Sequence, residues 1–193
     1  MNRLRLLLMI FLVASVAACQ PIQPPAEIDP GQAKILNAMS AAPLSVAKDA
    51  SIMDWPIEAD GDLIMLREGS NGWVCFTDTA GTPSDDPMCF DSNGMRWLEA
   101  YMTGSVPEID SVGIAYLLQG ASTASNADPY AMEPAAGEEW LVDPPSLMVF
   151  VPGKLDPALF PAQPGSGDTY IMWPDTPYEH LMVPVSIAAG FGD

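Results

Sequence analysis

The sequence is poor in the cations that bind nucleic acids and in the imidazoles that many catalytic and metal sites use. Its 193 residues include 7 Lys and Arg against 25 Asp and Glu, for a formal net charge of −18. Phosphate binding needs clustered Lys and Arg, so the charge argues against a nucleic-acid partner. The single His excludes any site that needs two imidazoles from one chain.

The chain does have the apolar content of a folded domain. Hydrophobic residues make up 49% of it, and five of its residues are Trp. Acidic disordered chains lack aromatic and β-branched residues, so we expect most of this chain to fold. Its length suits one domain with short appendages.

The first 18 residues have the three parts of a secretory signal peptide. Arg3 and Arg5 supply positive charge, residues 6–13 form an uninterrupted apolar run, and small residues follow up to Ala18. The apolar stretch is shorter than the roughly 20 residues that a membrane-spanning helix needs. Removal of residues 1–18 would take away two basic side chains and no acidic ones, leaving a more acidic mature chain.

The residues Val16-Ala17-Ala18-Cys19 resemble the lipobox of bacterial lipoprotein precursors. In that family a peptidase cuts before the Cys, whose thiol carries a diacylglycerol and whose new amino group is acylated. The resemblance implies a stable lipid anchor at Cys19, because several acyl chains hold a protein firmly at a membrane. Gln20 stands where many inner-membrane lipoproteins have Asp, which implies a place in the bacterial cell envelope at the outer membrane. The alternative is an ordinary signal peptide that leaves an incidental Cys.

The mature chain divides into a tether and a domain. Residues 19–30 contain four prolines and no apolar periodicity, which predicts an extended tether. Residues 31–193 are patterned throughout, and we expect them to form a single acidic globular domain.

The fold prediction is a single α+β domain. We expect helices at residues 32–42 and 93–102, where apolar residues recur near the 3.6-residue period, and a short strand over residues 45–55. Few helical segments lie between the strand candidates, which favours a loop-rich, mainly antiparallel sheet with one or two helices and one disulfide. The other strand candidates are residues 62–67, 73–77, 112–119, 147–151, 170–173 and 180–185.

Cys75 and Cys89 are the only cysteines besides the lipobox Cys. An exported chain meets oxidising conditions, so this even pair predicts a disulfide. Two buried thiols are the alternative, and no Cys-x-x-Cys motif marks either residue as catalytic.

Acidic residues gather in several turns and raise the possibility of a calcium site. The candidate ligands are Asp85, Asp86, Asp128 and Glu133, because Ca²⁺ takes six to eight oxygen ligands. None of these segments fits the EF-hand loop, and acidic residues beside Pro and Gly usually form solvated turns. We therefore expect a protein without cofactors, with a calcium site as the alternative.

A hydrolase is a second alternative. Ser122 lies in Gly-Ala-Ser-Thr-Ala, which differs from a nucleophile elbow in its last residue, and His180 is the one candidate imidazole base. Asp143 or Asp156 would complete a triad in hydrolase order. The context argues against it, because residues 125–129 indicate a turn where the elbow needs a helix. A half-exposed His at the start of a strand is the competing interpretation.

The Trp residues and most of the 12 Met lie in the mature chain. Aromatic faces and adaptable thioethers suit a ligand groove, and they equally suit the core of a loop-rich domain. The Trp residues are Trp55, Trp73, Trp97, Trp140 and Trp173.

Several short segments of the mature chain resemble a group of uncharacterised exported bacterial proteins. They are residues 71–75 (Asn-Gly-Trp-Val-Cys), 86–89, 113–120 and 176–180. The resemblance implies one folded domain over most of residues 45–185 and assigns no site residues.

Together these observations favour a membrane-anchored envelope lipoprotein whose domain binds a ligand or partner without catalysis. A cation, a glycan or a basic protein suits the acidic surface. The alternatives are a small envelope hydrolase that uses His180 and a structural envelope protein.

Overall fold

Two of the three helices in the described residues begin at a capping side chain. In the computed structural model, which describes residues 28–58 and 61–185, helix α1 (Pro30–Ser40) begins with Asp29, whose carboxylate accepts the N–H groups of Gly31 and Gln32. The last two residues of the predicted tether therefore belong to the helix and its cap. The predicted signal peptide and residues 19–27 of the tether, including Cys19, lie outside the described residues.

The other helices are α2 (Leu44–Ala47) and α3 (Ser92–Thr103). Asp91 caps α3 by accepting the N–H of Gly94, and Gly104 ends it in the left-handed conformation with φ of 68°. The prediction of one or two helices is thus wrong by one. Residues 45–55 were expected as a strand, but they begin as α2 after Pro43 and become extended only at Ser51.

The strands of the described residues are β1 (Ser51–Asp54), β2 (Ile64–Arg67), β3 (Val74–Phe76), β4 (Met88–Phe90), β5 (Gly113–Leu117), β6 (Ala121–Thr123), β7 (Leu141–Asp143), β8 (Ser146–Phe150), β9 (Tyr170–Met172) and β10 (His180–Pro184). Eight of them form one sheet in the order β2-β1-β3-β4-β5-β8-β10-β9, and β6 pairs separately with β7. Within the described ranges β1 and β3 are the one parallel pair, so the prediction of an α+β fold with a mainly antiparallel sheet is confirmed.

The two faces of the sheet differ in composition because successive residues of a strand point to opposite sides. Cys75 and Cys89 face a small-residue layer that includes Ala38 of α1 and Ala47 of α2. The next residues along each strand face the other way, into a core of large side chains. That core includes Phe76, Phe90, Trp97, Phe150, Tyr170 and Met182.

A disulfide joins Cys75 to Cys89, as predicted. The two residues lie directly opposite each other in the β3–β4 pair, and both are fully buried. The bridge therefore closes the base of the loop at residues 77–87, which connects these strands.

Helix α3 lies against the sheet with unusually little space at its N-terminal end. A Cβ atom on Gly94 would lie 3.0 Å from the carbonyl oxygen of Ile114, and one on Gly113 would lie 2.8 Å from the nitrogen of Gly94. The side chain of Asp91 also accepts the N–H of Ile114 at 3.0 Å. Two glycines and one carboxylate thus fix the helix over β5.

Among the described helices, none combines the length and the apolar composition needed to cross a membrane.

Replacing both Cys75 and Cys89 with Ala should lower the free energy of unfolding by about 3 kcal/mol, because the bridge restricts the unfolded chain. Urea denaturation of the wild type and the double variant measures the change. Alkylation of the native protein before and after reduction provides the control. Equal stabilities, or thiols that react at these positions without a reductant, would contradict the prediction.

Candidate functional site

A cavity of about 490 Å³ lies on the α3 side of the sheet. We call it the apolar cavity, because most of its lining is apolar. Helix α3, the sheet and two loops surround it: the 77–87 loop, and the 124–140 loop that connects β6 to β7. Its Met and aromatic lining consists of Met88, Met102, Met132, Met148, Met172, Met182, Trp55, Phe90, Trp97, Tyr101, Trp140 and Trp173.

Strand register builds the floor of the cavity. Met148 of β8 lies opposite Met182 of β10, and Ala115 of β5 connects this pair to Phe90 of β4. Cross-strand neighbours share one face of a sheet, so these side chains form a continuous row. Phe90, Met148 and Met182 are buried, which gives the cavity a floor within the core.

Parallel aromatic rings form one wall. Trp97 and Tyr101 are one helical turn apart on α3, and their rings stack at 5.7 Å between centroids. The Trp173 ring is parallel to that of Tyr101 at 5.5 Å. Tyr130, from the 124–140 loop, stacks on the same Tyr101 ring at 5.2 Å.

Trp173 has a backbone conformation that large residues rarely adopt. Its φ is 53°, in the left-handed region. Asn126 holds it there by accepting the Trp173 backbone N–H at 3.0 Å, and the Ser125 carbonyl accepts the indole N–H at 2.9 Å. Strained residues of this kind cluster at functional sites, where the surrounding structure over-determines them.

The two loops and β6, which contributes Ser122 and Thr123, give the cavity its polar groups. The 77–87 loop contributes Thr79, Thr82 and Asp86, and the 124–140 loop contributes Glu133. A contact between the hydroxyls of Ser84 and Ser122 ties the 77–87 loop to β6. Structureless loops as long as 124–140 are uncommon in compact domains and are often functional.

Asp86 is the buried acid of this set, with 5% of its surface exposed. Its carboxylate accepts the N–H of Thr79 at 3.1 Å and the hydroxyl of Thr82 at 2.9 Å. Burial raises the pKa of Asp86 to about 6 in spite of these hydrogen bonds.

The four predicted calcium ligands are not brought together as one group. Asp86 and Glu133 line the cavity, whereas Asp85 accepts the side-chain amide of Asn37 and Asp128 accepts the N–H of Tyr130. Across residues 28–58 and 61–185, no group of three or more His, Cys, Asp and Glu is placed to hold a metal ion.

The four predicted hydrolase residues have separate partners. Ser122 lines the cavity, and its hydroxyl contacts that of Ser84. Buried Asp143 accepts the hydroxyl of Tyr170 at 2.6 Å, and exposed Asp156 accepts the N–H of Ala158 at 2.9 Å. No hydrogen bond between described residues joins any two of Ser122, Asp143, Asp156 and His180.

His180 is fully buried, so the expectation of a half-exposed side chain is wrong. Its ring lies 5.0 Å from that of Trp97 and 5.4 Å from that of Trp173, between ring centroids. Nδ1 contacts the carbonyl oxygen of Tyr178 at 2.8 Å. Because a carbonyl only accepts, Nδ1 carries the proton and Nε2 has a lone pair, for which the described residues offer no hydrogen-bond partner. Burial lowers the pKa of His180 to about 4.

The aromatic and Met residues fill the core and line the cavity at the same time. Four of the five Trp residues contribute to the lining, while Trp73 packs beside Tyr116 on the opposite face of the sheet. Residues that the sequence did not single out, such as Thr79 and Thr82, complete the site.

Comparisons with protein-family models, with curated proteins and with solved structures found no match for this chain.

Acidification from about pH 6.5 to about pH 4 should lower the free energy of unfolding by roughly 3 kcal/mol, because burial lowers the pKa of His180. The unfolded imidazole takes up its proton near pH 6.5, whereas the buried one stays neutral down to about pH 4. The unfolded state thus binds more protons across this window, and acid favours it. Asp86 acts in the opposite direction, because its raised pKa makes the folded state the better proton binder between about 3.8 and 6.

A comparison with the His180→Gln variant separates the two effects, because Asp86 is present in both proteins. The stability difference between wild type and variant, from urea denaturation, should shift against the wild type as the pH falls. Since the chain has one His, its imidazole resonance in the wild type reports the pKa directly. A titration midpoint near 6.5 would refute the prediction.

Proposed function

We propose that this chain is a lipid-anchored envelope protein whose single folded domain binds an apolar ligand in the apolar cavity, without catalysing a reaction. The observation that carries the proposal is the cavity itself. Its volume falls within the range of about 300 to 1,000 Å³ that is usual for small-molecule sites.

The lining determines which ligands are favoured. A ligand gains about 0.8 kcal/mol for each methylene group removed from water. Met side chains are flexible and polarisable, so a floor that includes Met148 and Met182 can adapt to irregular apolar shapes. The stacked rings of Trp97 and Tyr101 add flat apolar contact area.

The position of His180 supports binding over hydrolysis. A general base has to reach the proton that it abstracts, directly or through one water. His180 is buried and is not among the residues that line the cavity, whereas Ser122 is. A purely structural role would not need a cavity with a strained Trp173 in its wall.

The anchoring part of the proposal rests on the lipobox-like sequence at Cys19. Residues 20–29 separate this Cys from helix α1, and a fully extended chain of that length reaches at most roughly 35 Å. A lipidated chain would therefore hold its cavity near the outer membrane, where apolar ligands concentrate. The acidic charge keeps the domain soluble and away from anionic surfaces.

Filling the cavity should abolish binding of an apolar probe. Ala131 lines the cavity from the 124–140 loop, while Ala135 of the same loop is exposed and outside the lining. We expect octanol, titrated against tryptophan fluorescence, to bind the wild type and the Ala135→Trp variant alike. Ala131→Trp should weaken binding at least about tenfold, a loss of about 1.4 kcal/mol. No binding to the wild type, or equal binding to both variants, would refute the proposal.

Replacing Cys19 with Ser should release the protein from the membrane fraction, because Ser cannot form the thioether to diacylglycerol. Fractionation of cells that express each form, with detection by antibody, measures this. Mass spectrometry of the wild-type N-terminus gives an independent check. Unchanged membrane association of the variant would disprove anchoring at this residue and leave the ligand-binding proposal unaffected.

A further inference from the structure

We propose that the apolar cavity selects apolar ligands that carry a positively charged nitrogen, such as an alkylammonium group. This inference rests on the ligand-binding function proposed above and names the chemical class of the ligand.

At neutral pH, the charged side chains that line the cavity are acidic. Asp86 and Glu133 line the cavity, and the described lining contains no Lys, Arg or His. Any cationic part of a ligand therefore meets carboxylates, whereas an anionic part meets like charge.

The basic side chains of the described residues have other partners. Arg67 donates to the carbonyl oxygens of Ala47 and Ala50, both at 2.7 Å. The remaining four form ion pairs with acids outside the cavity lining. These pairs are Lys34–Asp54, Lys48–Asp49, Arg96–Asp110 and Lys154–Asp175.

Asp86 and Glu133 are therefore left without a cationic partner among the described residues. For buried Asp86 this is costly, because a buried charge normally needs both hydrogen bonds and a counter-charge. Thr79 and Thr82 supply the hydrogen bonds. Burial and the neighbouring carboxyl group of Asp78 raise the pKa of Asp86 to about 6, and no counter-charge from the described residues offsets them. A cationic ligand would provide it.

The aromatic lining favours the same ligand class. The faces of Trp and Tyr rings attract cations, and cages of such rings recognise quaternary ammonium groups. Trp55, Trp97, Tyr101, Trp140 and Trp173 all line the cavity. Stacked rings and unpaired carboxylates thus surround the same space, while the Met floor suits an apolar body.

The test compares three probes with one octyl chain and different head groups: octyltrimethylammonium, octanol and octanoate. Each is titrated by calorimetry into the purified full chain in zwitterionic lipid nanodiscs, with protein-free nanodiscs as the blank. We expect octyltrimethylammonium to bind at least about tenfold more tightly than octanol, and octanoate to bind more weakly than octanol.

Variants that each remove one negative charge show which carboxylates are responsible for the selectivity. Asp86→Asn and Glu133→Gln should each reduce the preference for octyltrimethylammonium over octanol at least about threefold. Glu138→Gln is the matched control, because Glu138 is exposed in the 124–140 loop and does not line the cavity. Glu133 is exposed, so its variant keeps the test valid if Asp86→Asn fails to fold.

The outcomes distinguish the selectivity for cations from the apolar ligand binding on which it rests. Equal binding of all three probes, a preference for octanoate, or an equal effect of the Glu138 control would overturn the selectivity and leave apolar binding intact. Absence of binding by octanol and by octyltrimethylammonium would overturn both.

Discussion

The cavity depends first on the pairing of β3 with β4. Each strand turns a Cys toward the alanine-rich layer under α1 and α2 and the following Phe toward α3, so that one short pair of strands defines both faces of the sheet. The disulfide fixes this pair at the base of the 77–87 loop, which delivers Thr82 and Asp86 to the cavity. A slip of one residue in this register would exchange the two faces and place polar loop residues elsewhere.

Local sequence patterns predict most of the elements and fail where distant contacts decide. Helix α3 follows from its apolar period and from Gly104. Strand β4 was not predicted, because three residues, Met-Cys-Phe, are too few to show a period and are extended only through their pairing with β3 and β5. The start of β1 was placed too early because Ser51 becomes a strand residue where its N–H bonds to the carbonyl of Trp73.

The candidate site was predictable as residue types but not as an arrangement. Ser122, Asp86 and Glu133 were each singled out, for hydrolysis or for calcium, and the structure places all three around one cavity because β6 and two loops meet there. The burial of His180 had no local signal. Its neighbours Trp97, Phe150 and Trp173 come from three separate parts of the chain and meet only in the folded state.

The thioethers that make the cavity adaptable are also groups that oxidants convert to polar sulfoxides. Their exposure is graded: Met132 is 85% exposed and Met102 is 45% exposed, whereas Met148, Met172 and Met182 are at most 5% exposed. Oxidants would therefore convert Met132 and Met102 at the rim of the cavity to sulfoxides before they reached the buried Met residues of its floor. A bound apolar molecule would shield the buried Met residues of the floor further, so a ligand in the cavity would slow the oxidation of these residues.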